Sequence, residues 1–219
     1  MKTKLIVAVI TCALFLLICV SSLFAFGPRD QFWTVDAAEY QITSVWKVNI
    51  ETEFHFDDHF CLFKRQADIG FSRKMRKWLV IGINYRWADE KTNAEWELEN
   101  RPHINASIFW KMGRLNLQDR TRMEYRIQKQ SDPMWRYRNK LRVGLPLPGT
   151  TISLEPYMSD EIFVIFNRLK IDEHRVIAGV ASRLQNHLKV ELYGMIKSER
   201  EFLGWSNTKI MGANILLMY

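Results

Sequence analysis

Residues 46–56 read Trp-Lys-Val-Asn-Ile-Glu-Thr-Glu-Phe-His-Phe. Trp46, Val48, Ile50, Thr52, Phe54 and Phe56 alternate with Lys47, Asn49, Glu51, Glu53 and His55. A period of two sorts these side chains into one apolar and one polar surface only if the chain is extended. The pattern recurs in both directions along the chain. Leu79, Ile81, Ile83, Tyr85 and Trp87 alternate with Val80, Gly82, Asn84 and Arg86. Trp135, Tyr137, Asn139, Leu141, Val143 and Leu145 oppose Arg136, Arg138, Lys140, Arg142 and Gly144. Leu188, Val190, Leu192 and Ile196 oppose Lys189, Glu191, Tyr193 and Lys197. No 3.6-residue stripe follows residue 30. The chain reads as all-β.

Composition narrows the class. Of 219 residues, 47% are hydrophobic and 13% aromatic, too apolar for a disordered chain. Ten Gly and six Pro are too few for a collagen-like or low-complexity sequence. Beyond residue 25 the longest apolar runs have five residues, 162–166 and 215–219, whereas a membrane helix needs ~20. Residues 1–25 differ: Lys2 and Lys4 precede an uncharged apolar stretch from Leu5 to Val20, and Ser21, Ser22 and Ala25 supply small residues. That order is a signal peptide, with cleavage expected after Ala25. Cys12 and Cys19 leave with it, so Cys61 alone remains and no intramolecular disulfide is available. Loss of Lys2 and Lys4 lowers the formal charge from +7 to +5. Export also removes nucleic acid from consideration as a partner of the basic stretch 111–142.

Turn residues divide residues 45–219 into about ten strands: 45–56, 65–73, 77–87, 99–110, 115–127, 135–146, 151–165, 174–184, 188–199 and 207–219. Connections alternate between short and long, the mark of a transmembrane up-and-down antiparallel β-barrel. Starting and ending on the short-turn side requires an even strand number. Ten fits, and residues 26–44 form an N-terminal segment that is an extra strand or a piece of the rim or lumen, which leaves twelve as the alternative. Three features put the apolar face against lipid. Phe54, Phe56, Tyr85, Trp87, Tyr125, Trp135 and Tyr137 gather near the long-loop ends. Gly70, Gly82, Gly144, Gly179 and Gly212 fall on the opposite face, where a crowded lumen needs room. Met211, Ala213, Ile215, Leu217 and the terminal Tyr219 form an alternating stripe with the form of an outer-membrane assembly signal. Pro102 and Pro156 run against a closed barrel, which has no free edge for them.

Four pieces carry a resemblance: Leu117-Gln118-Asp119-Arg120-Thr121-Arg122-Met123-Glu124-Tyr125-Arg126, Arg136-Tyr137-Arg138-Asn139-Lys140-Leu141-Arg142, Glu161 with Phe163, and His174-Arg175-Val176-Ile177-Ala178-Gly179-Val180. In these the chain resembles the bacterial outer-membrane barrel family called domain of unknown function 2490. Asp119 and His174 depart from its pattern. The resemblance implies fold and location but no activity, because the family has none established.

The chemistry points inward. Arg120, Arg122, Glu124 and Arg126 lie beside Arg136, Arg138, Lys140 and Arg142, seven cations on two neighbouring strands. Glu51, Glu53, Glu97, Glu99, Glu155 and Glu161 fall on lumen-facing positions or adjoining loops and supply counter-charge. Bidentate pairs would then cross-link the wall. A plugged lumen is the first expectation, and a constriction selecting small anions the second. His55, Asp57, His59 and Cys61 alternate like metal ligands, but no second cluster supports them, so no metal or other cofactor is expected. Ser107, Ser153, Ser159 and Ser182 with His103, His174 or His187 allow many hydrolase arrangements and identify none, and no catalytic motif is present. The expected object is therefore an outer-membrane barrel with an envelope-structural or loop-mediated role, partnered by outer-membrane lipid and the barrel-assembly machinery. A narrow anion channel, a membrane-embedded lipid-modifying enzyme and a soluble secreted barrel for an apolar ligand are the alternatives.

Overall fold

The computed structural model describes residues 27, 29–92, 95–129, 131–147, 153–166, 170–202 and 204–219. The expected signal peptide, residues 1–25, lies outside them. Eleven strands follow in order: β1 Gln31–Gln41, β2 Trp46–Phe56, β3 Leu62–Arg76, β4 Leu79–Thr92, β5 Glu95–Met112, β6 Leu115–Gln128, β7 Ser131–Gly144, β8 Ser153–Ile165, β9 Lys170–Gln185, β10 Leu188–Glu201 and β11 Gly204–Met218. Each pairs antiparallel with the next, and β1 meets β11 in parallel to close the barrel.

Eleven replaces the expected ten or twelve. The ten strands from β2 to β11 do obey the even-number rule. The segment left over, residues 31–41, is itself a strand that slots between β2 and β11, pairing Phe32 with Phe56 on one side and with Met211 on the other. Because β1 and β11 both run from the β2–β3 rim, termed the upper rim, toward the opposite, lower rim, their pairing is necessarily parallel. In this arrangement β1 satisfies both edges, its ladders with β2 and β11 pairing the backbone rows that the wider gap between those two strands would otherwise leave open.

Loop lengths also differ from expectation. At the upper rim the ladders continue to Thr92↔Glu95, Gln128↔Ser131 and Glu201↔Gly204. Stretches 88–98, 128–134 and 200–206 are thus mostly strand among their described residues. Polar residues at a strand end look like loop in sequence, yet a hairpin keeps its backbone bonds after it leaves an apolar band. Both prolines are accommodated. Arg101 and Pro102 fall where the β5–β6 ladder has no register partner, and Pro156 lies just past the end of the β7–β8 ladder at Gly144↔Tyr157.

Polarity runs opposite to that of a water-soluble barrel. Outward positions carry Ile50, Ile69, Phe71, Ile83, Ile104, Met158 and Leu192, each about half exposed or more. Inward positions bury Asp68, Arg86, Arg101, Arg122, Glu124, Arg136, Arg138 and Glu161. Outward aromatics stand at both rims, Trp96, Trp135 and Trp205 at the upper and Tyr40, Trp46, Trp78, Trp110 and Tyr219 at the lower, whereas Tyr85 sits at mid-strand. The inward glycines admit large neighbours: a Cβ on Gly212 would lie 2.2 Å from the Tyr193 ring, and one on Gly144 would lie 2.5 Å from the Glu155 carboxylate.

Candidate functional site: the charged lumen

Alternation along β6 and β7 aims every second side chain into the barrel, and the hairpin register sets Arg122 opposite Arg138, Glu124 opposite Arg136, and Arg120 opposite Lys140. Glu124 is the hub. It has no solvent exposure; its Oε2 accepts from Arg136 Nη2 at 2.6 Å and Nε at 2.8 Å, while Oε1 accepts from Arg138 Nη1 at 2.8 Å. Arg122 Nη1 completes the set at 3.4 Å from Oε1. Arg138 also donates through Nη2 to Glu161 at 2.9 Å, and Glu161 lies 3.5 Å from Arg120 and directly opposite Lys140. One carboxylate thus answers three guanidiniums, and the second is shared by the neighbouring cations. Such charge-assisted bonds in a water-poor interior are strong individually and interdependent collectively.

Arg126 leaves this group. It binds Glu99, which also accepts from Arg101 at 2.7 Å and Gln128 at 3.2 Å. Arg142 turns toward the lower rim, donating to Glu191 at 3.2 Å and standing 3.8 Å from Glu155; Glu155 in turn accepts from Asn116 at 2.8 Å. All ten residues singled out from the sequence, Arg120, Arg122, Glu124, Arg126, Arg136, Arg138, Lys140, Arg142, Glu155 and Glu161, therefore face the lumen, but they form three groups rather than one. Met211, Ala213, Ile215, Leu217 and Tyr219 all face outward, on β11 and just past its end, and the Tyr219 ring stacks on His187 at 5.8 Å.

A second network goes beyond what the sequence pattern singles out. Arg86 on β4 donates to Glu51 at 2.7 Å and Asp68 at 2.9 Å and lies 3.5 Å from Glu53, while Asp68 accepts from Asn84 at 2.7 Å. Glu173 pairs with Arg175, and Lys189 stands 2.7 Å from Glu191. The same parity rule that finds Glu124 marks Asp68, Arg86 and Arg101 as inward. What parity lacks is the approach across the lumen. Sequence reasoning also misses an apolar side of the lumen, where Trp33, Tyr157, Ile177, Ala181, Met195 and Ile210 pack together with Tyr193. His55 bridges the two chemistries, stacking on Trp33 at 3.7 Å between ring centres and bonding Glu53 at 2.7 Å.

Space remains in three tiers. A cavity of about 600 Å³ opens at the lower rim among Glu39, Lys47, Lys74, Ser107 and Lys189. A central one of about 170 Å³ touches Glu51, Arg122, Lys140 and Tyr193. An upper one of about 350 Å³ is lined by His55, Lys64, Arg101 and Glu173. Arg86 borders all three, at the level of the ion-pair networks.

The metal-like spacing does not assemble as a set. His55 points into the lumen and Cys61 is exposed, whereas Asp57, Asp58 and His59 bring ligand atoms within 4.8 Å of one another at the upper rim. Asp57 Oδ1 there caps the turn, accepting from the backbone of His59 at 2.9 Å and Cys61 at 2.8 Å. None of Ser107, Ser153, Ser159 and Ser182 has a histidine as register partner. His103 bonds the Arg101 carbonyl at 3.1 Å, and His187 bonds that of Met218 at 2.7 Å. His174 is the exception, facing Ser198 across the β9–β10 ladder.

Fold and lumen together define a closed β-barrel with an apolar exterior and an ion-paired interior. Residues 30–207 match the family described as "Protein of unknown function (DUF2490)", and the chain belongs to that family. No curated protein matches it. Two solved structures are similar to the chain. One is an anion-selective porin from Comamonas acidovorans, at 9% identity and TM-score 0.39, covering 77% of this chain and 55% of the porin. The other is the siderophore receptor PirA from Pseudomonas aeruginosa, at 11% identity and TM-score 0.32, covering 77% of this chain and 34% of the receptor. This chain thus spans about half the porin's length and a third of the receptor's.

Proposed function

We propose that this protein is an outer-membrane barrel whose lumen is closed by ion pairs, so that it serves the envelope as a rigid transmembrane body with functional rims and outer surface rather than as a pore. The observation that carries this reading is the complete burial of Glu124 among Arg136, Arg138 and Arg122 at mid-lumen. An open aqueous channel would leave such groups hydrated. The apolar exterior supports a lipid surrounding, and two aromatic rims support anchoring at two interfaces. A soluble carrier for apolar ligands has the opposite polarity. The Met211, Ala213, Ile215, Leu217 and Tyr219 stripe then supplies the assembly signal, and residues 1–25 direct export.

A narrow anion channel is the second reading. It is favoured by Lys47, Lys74, Lys189, Arg120 and Arg122 around the lower cavity. Planar-bilayer recording decides between them. The closed barrel gives no steady conductance at any salt concentration, with folding verified by migration of unboiled against boiled protein on a detergent gel. Steady anion-selective current from barrel so verified would replace the first reading with the second.

A further inference from the structure

A polar row crosses four consecutive strands of the largely apolar exterior. Asp160 on β8, His174 on β9, Ser198 on β10 and Asn207 on β11 all face outward. A smaller outward set elsewhere, Asp119, Thr121 and Asn139, is self-contained, with Asn139 Nδ2 donating to the other two at 2.7 and 3.1 Å. The four-strand row is different in kind. His174 Nε2 lies 2.8 Å from Asp160 Oδ2. Ser198 is the direct ladder partner of His174, and Asn207 is the direct partner of Ser198. Directly opposed residues hold their Cβ atoms about 4.5–5.5 Å apart. Ser198 Oγ donates to Asn207 Oδ1 at 2.7 Å, so attack assisted by His174 requires Ser198 to turn by χ1 from Asn207 toward its other ladder partner. With Nε2 engaged by the carboxylate, Nδ1 is the ring nitrogen left to act as base. The row lies near the upper rim, within five residues of the strand ends at Ile165, Lys170, Glu201 and Gly204. Arg200 follows Ser198 toward the rim on the same face, and Lys209 follows Asn207 toward mid-barrel, so a cation stands on either side. Trp205 and Phe166 complete the border.

Near a rim, outward polar side chains are tolerated at little cost, so it is their order rather than their presence that distinguishes this row. The order acid, imidazole, hydroxyl, amide is a chemical one. We propose that this row is an acyl-ester hydrolase site opening onto the membrane leaflet at the upper rim, with the fatty-acyl ester of an anionic membrane lipid as its substrate class. The proposal rests on the membrane reading above. Ser198 is the nucleophile and His174 the general base. Asp160 is a positioning residue that holds the imidazole, and the Asn207 amide N–H is the donor to the developing oxyanion. Arg200 and Lys209 take the lipid phosphate. As the Ser198 Oγ–carbon bond forms, the hydroxyl proton passes to His174. Breaking of the ester C–O bond then releases the alcohol, which carries that proton away. Water repeats the exchange on acyl-Ser198 and frees the fatty acid.

The test uses the full chain refolded in detergent, with folding checked by heat-modifiable migration. A fluorophosphonate probe is expected to label Ser198. Phosphatidylglycerol vesicles and lipopolysaccharide aggregates are offered separately, and fatty-acid release is read by mass spectrometry. Release from either supports the site and names its source. Ser198→Ala and His174→Ala, both mild changes on an exposed face, should each lower release by about 10³-fold or more without altering migration. Asp160→Asn should lower kcat and leave KM unchanged, a split that a merely structural role would not produce. A folded barrel that is neither labelled nor active on either lipid overturns the proposal, as does full activity in Ser198→Ala. Hydrolysis of p-nitrophenyl butyrate separates the two readings. A protein that needs no detergent yet hydrolyses this soluble ester through Ser198 would retain the site and refute the membrane setting.

Discussion

Two sides of one lumen are filled by different chemistries. From β2 to β8 the inward positions include the guanidiniums and carboxylates around Glu124, Glu161, Asp68 and Arg86. From β8 through β11 to β1 they include Trp33, Tyr157, Ile177, Met195 and Ile210. Both sides are buried, but their energetics differ in kind. Apolar contacts contribute group by group, in proportion to area and volume lost. Buried charges stand or fall together, because each carboxylate removed strands several cations at once.

The largest expected effect breaks the charged side at its hub. Glu124→Gln keeps size and shape but leaves Arg136, Arg138 and Arg122 without their shared carboxylate. Breaking a buried ion pair in this way costs about 3–5 kcal/mol. Urea unfolding of the barrel in lipid vesicles should show a loss of that size. A loss below about 1 kcal/mol would mean the guanidiniums are hydrated, and the closed-lumen reading would fail with it.

On the apolar side the matching change is Ile210→Ala. Ile210 has no exposure and packs beside Trp33 and Met195, so truncation leaves a cavity. Ile→Ala in such a site costs about 2–5 kcal/mol, the lower part of which is expected where a flexible Met195 can lean into the space. The comparison sharpens when Ile210→Ala and Glu124→Gln are combined. The two sites sit on different networks, so their costs should add within about 0.5 kcal/mol.

Much of this contrast is legible in the amino-acid sequence alone. Alternation on 46–56, 79–87, 135–145 and 188–197 gives strand, face and closed form, and it places Glu124 among arginines. Parity, however, says only in or out. It does not say that Arg126 reaches Glu99 while Arg136 keeps Glu124, because that depends on how far each strand slides against the next. The apolar side is hidden for a related reason. In Val176-Ile177-Ala178-Gly179-Val180-Ala181 both faces are apolar or small, so alternation has no contrast to report. The odd strand is only half legible: residues 26–44 offer an extra strand among other readings, and Val35-Asp36-Ala37-Ala38 is too small and weakly patterned to choose, because its place is set by the two edges it pairs rather than by its own side chains. Ser198 escapes notice because a hydroxyl becomes interesting only once the ladder sets His174 opposite it.

The smallest effect marks where the charged side ends. Lys47 Nζ lies 2.7 Å from Glu39, across the β1–β2 ladder at the lower cavity, and their side chains keep 43% and 34% of their exposure. The distance is as short as that of many pairs at the hub. Distance alone would rank them as equals. Exposure says otherwise: water already solvates both partners, so loss of one leaves the other hydrated rather than stranded. Glu39→Gln should therefore cost about 0–1 kcal/mol, and the remainder should shrink further as salt is raised. Glu124→Gln, screened from ions, should show nearly the same loss at low and high salt. Urea unfolding of both variants at two ionic strengths reads this directly. If Glu39→Gln proved as damaging and as salt-independent as Glu124→Gln, the lower cavity would be dry and the ion-paired closure would extend to the rim. If both losses faded with salt, solvent ions would be reaching mid-lumen, and the charged side would be open rather than sealed.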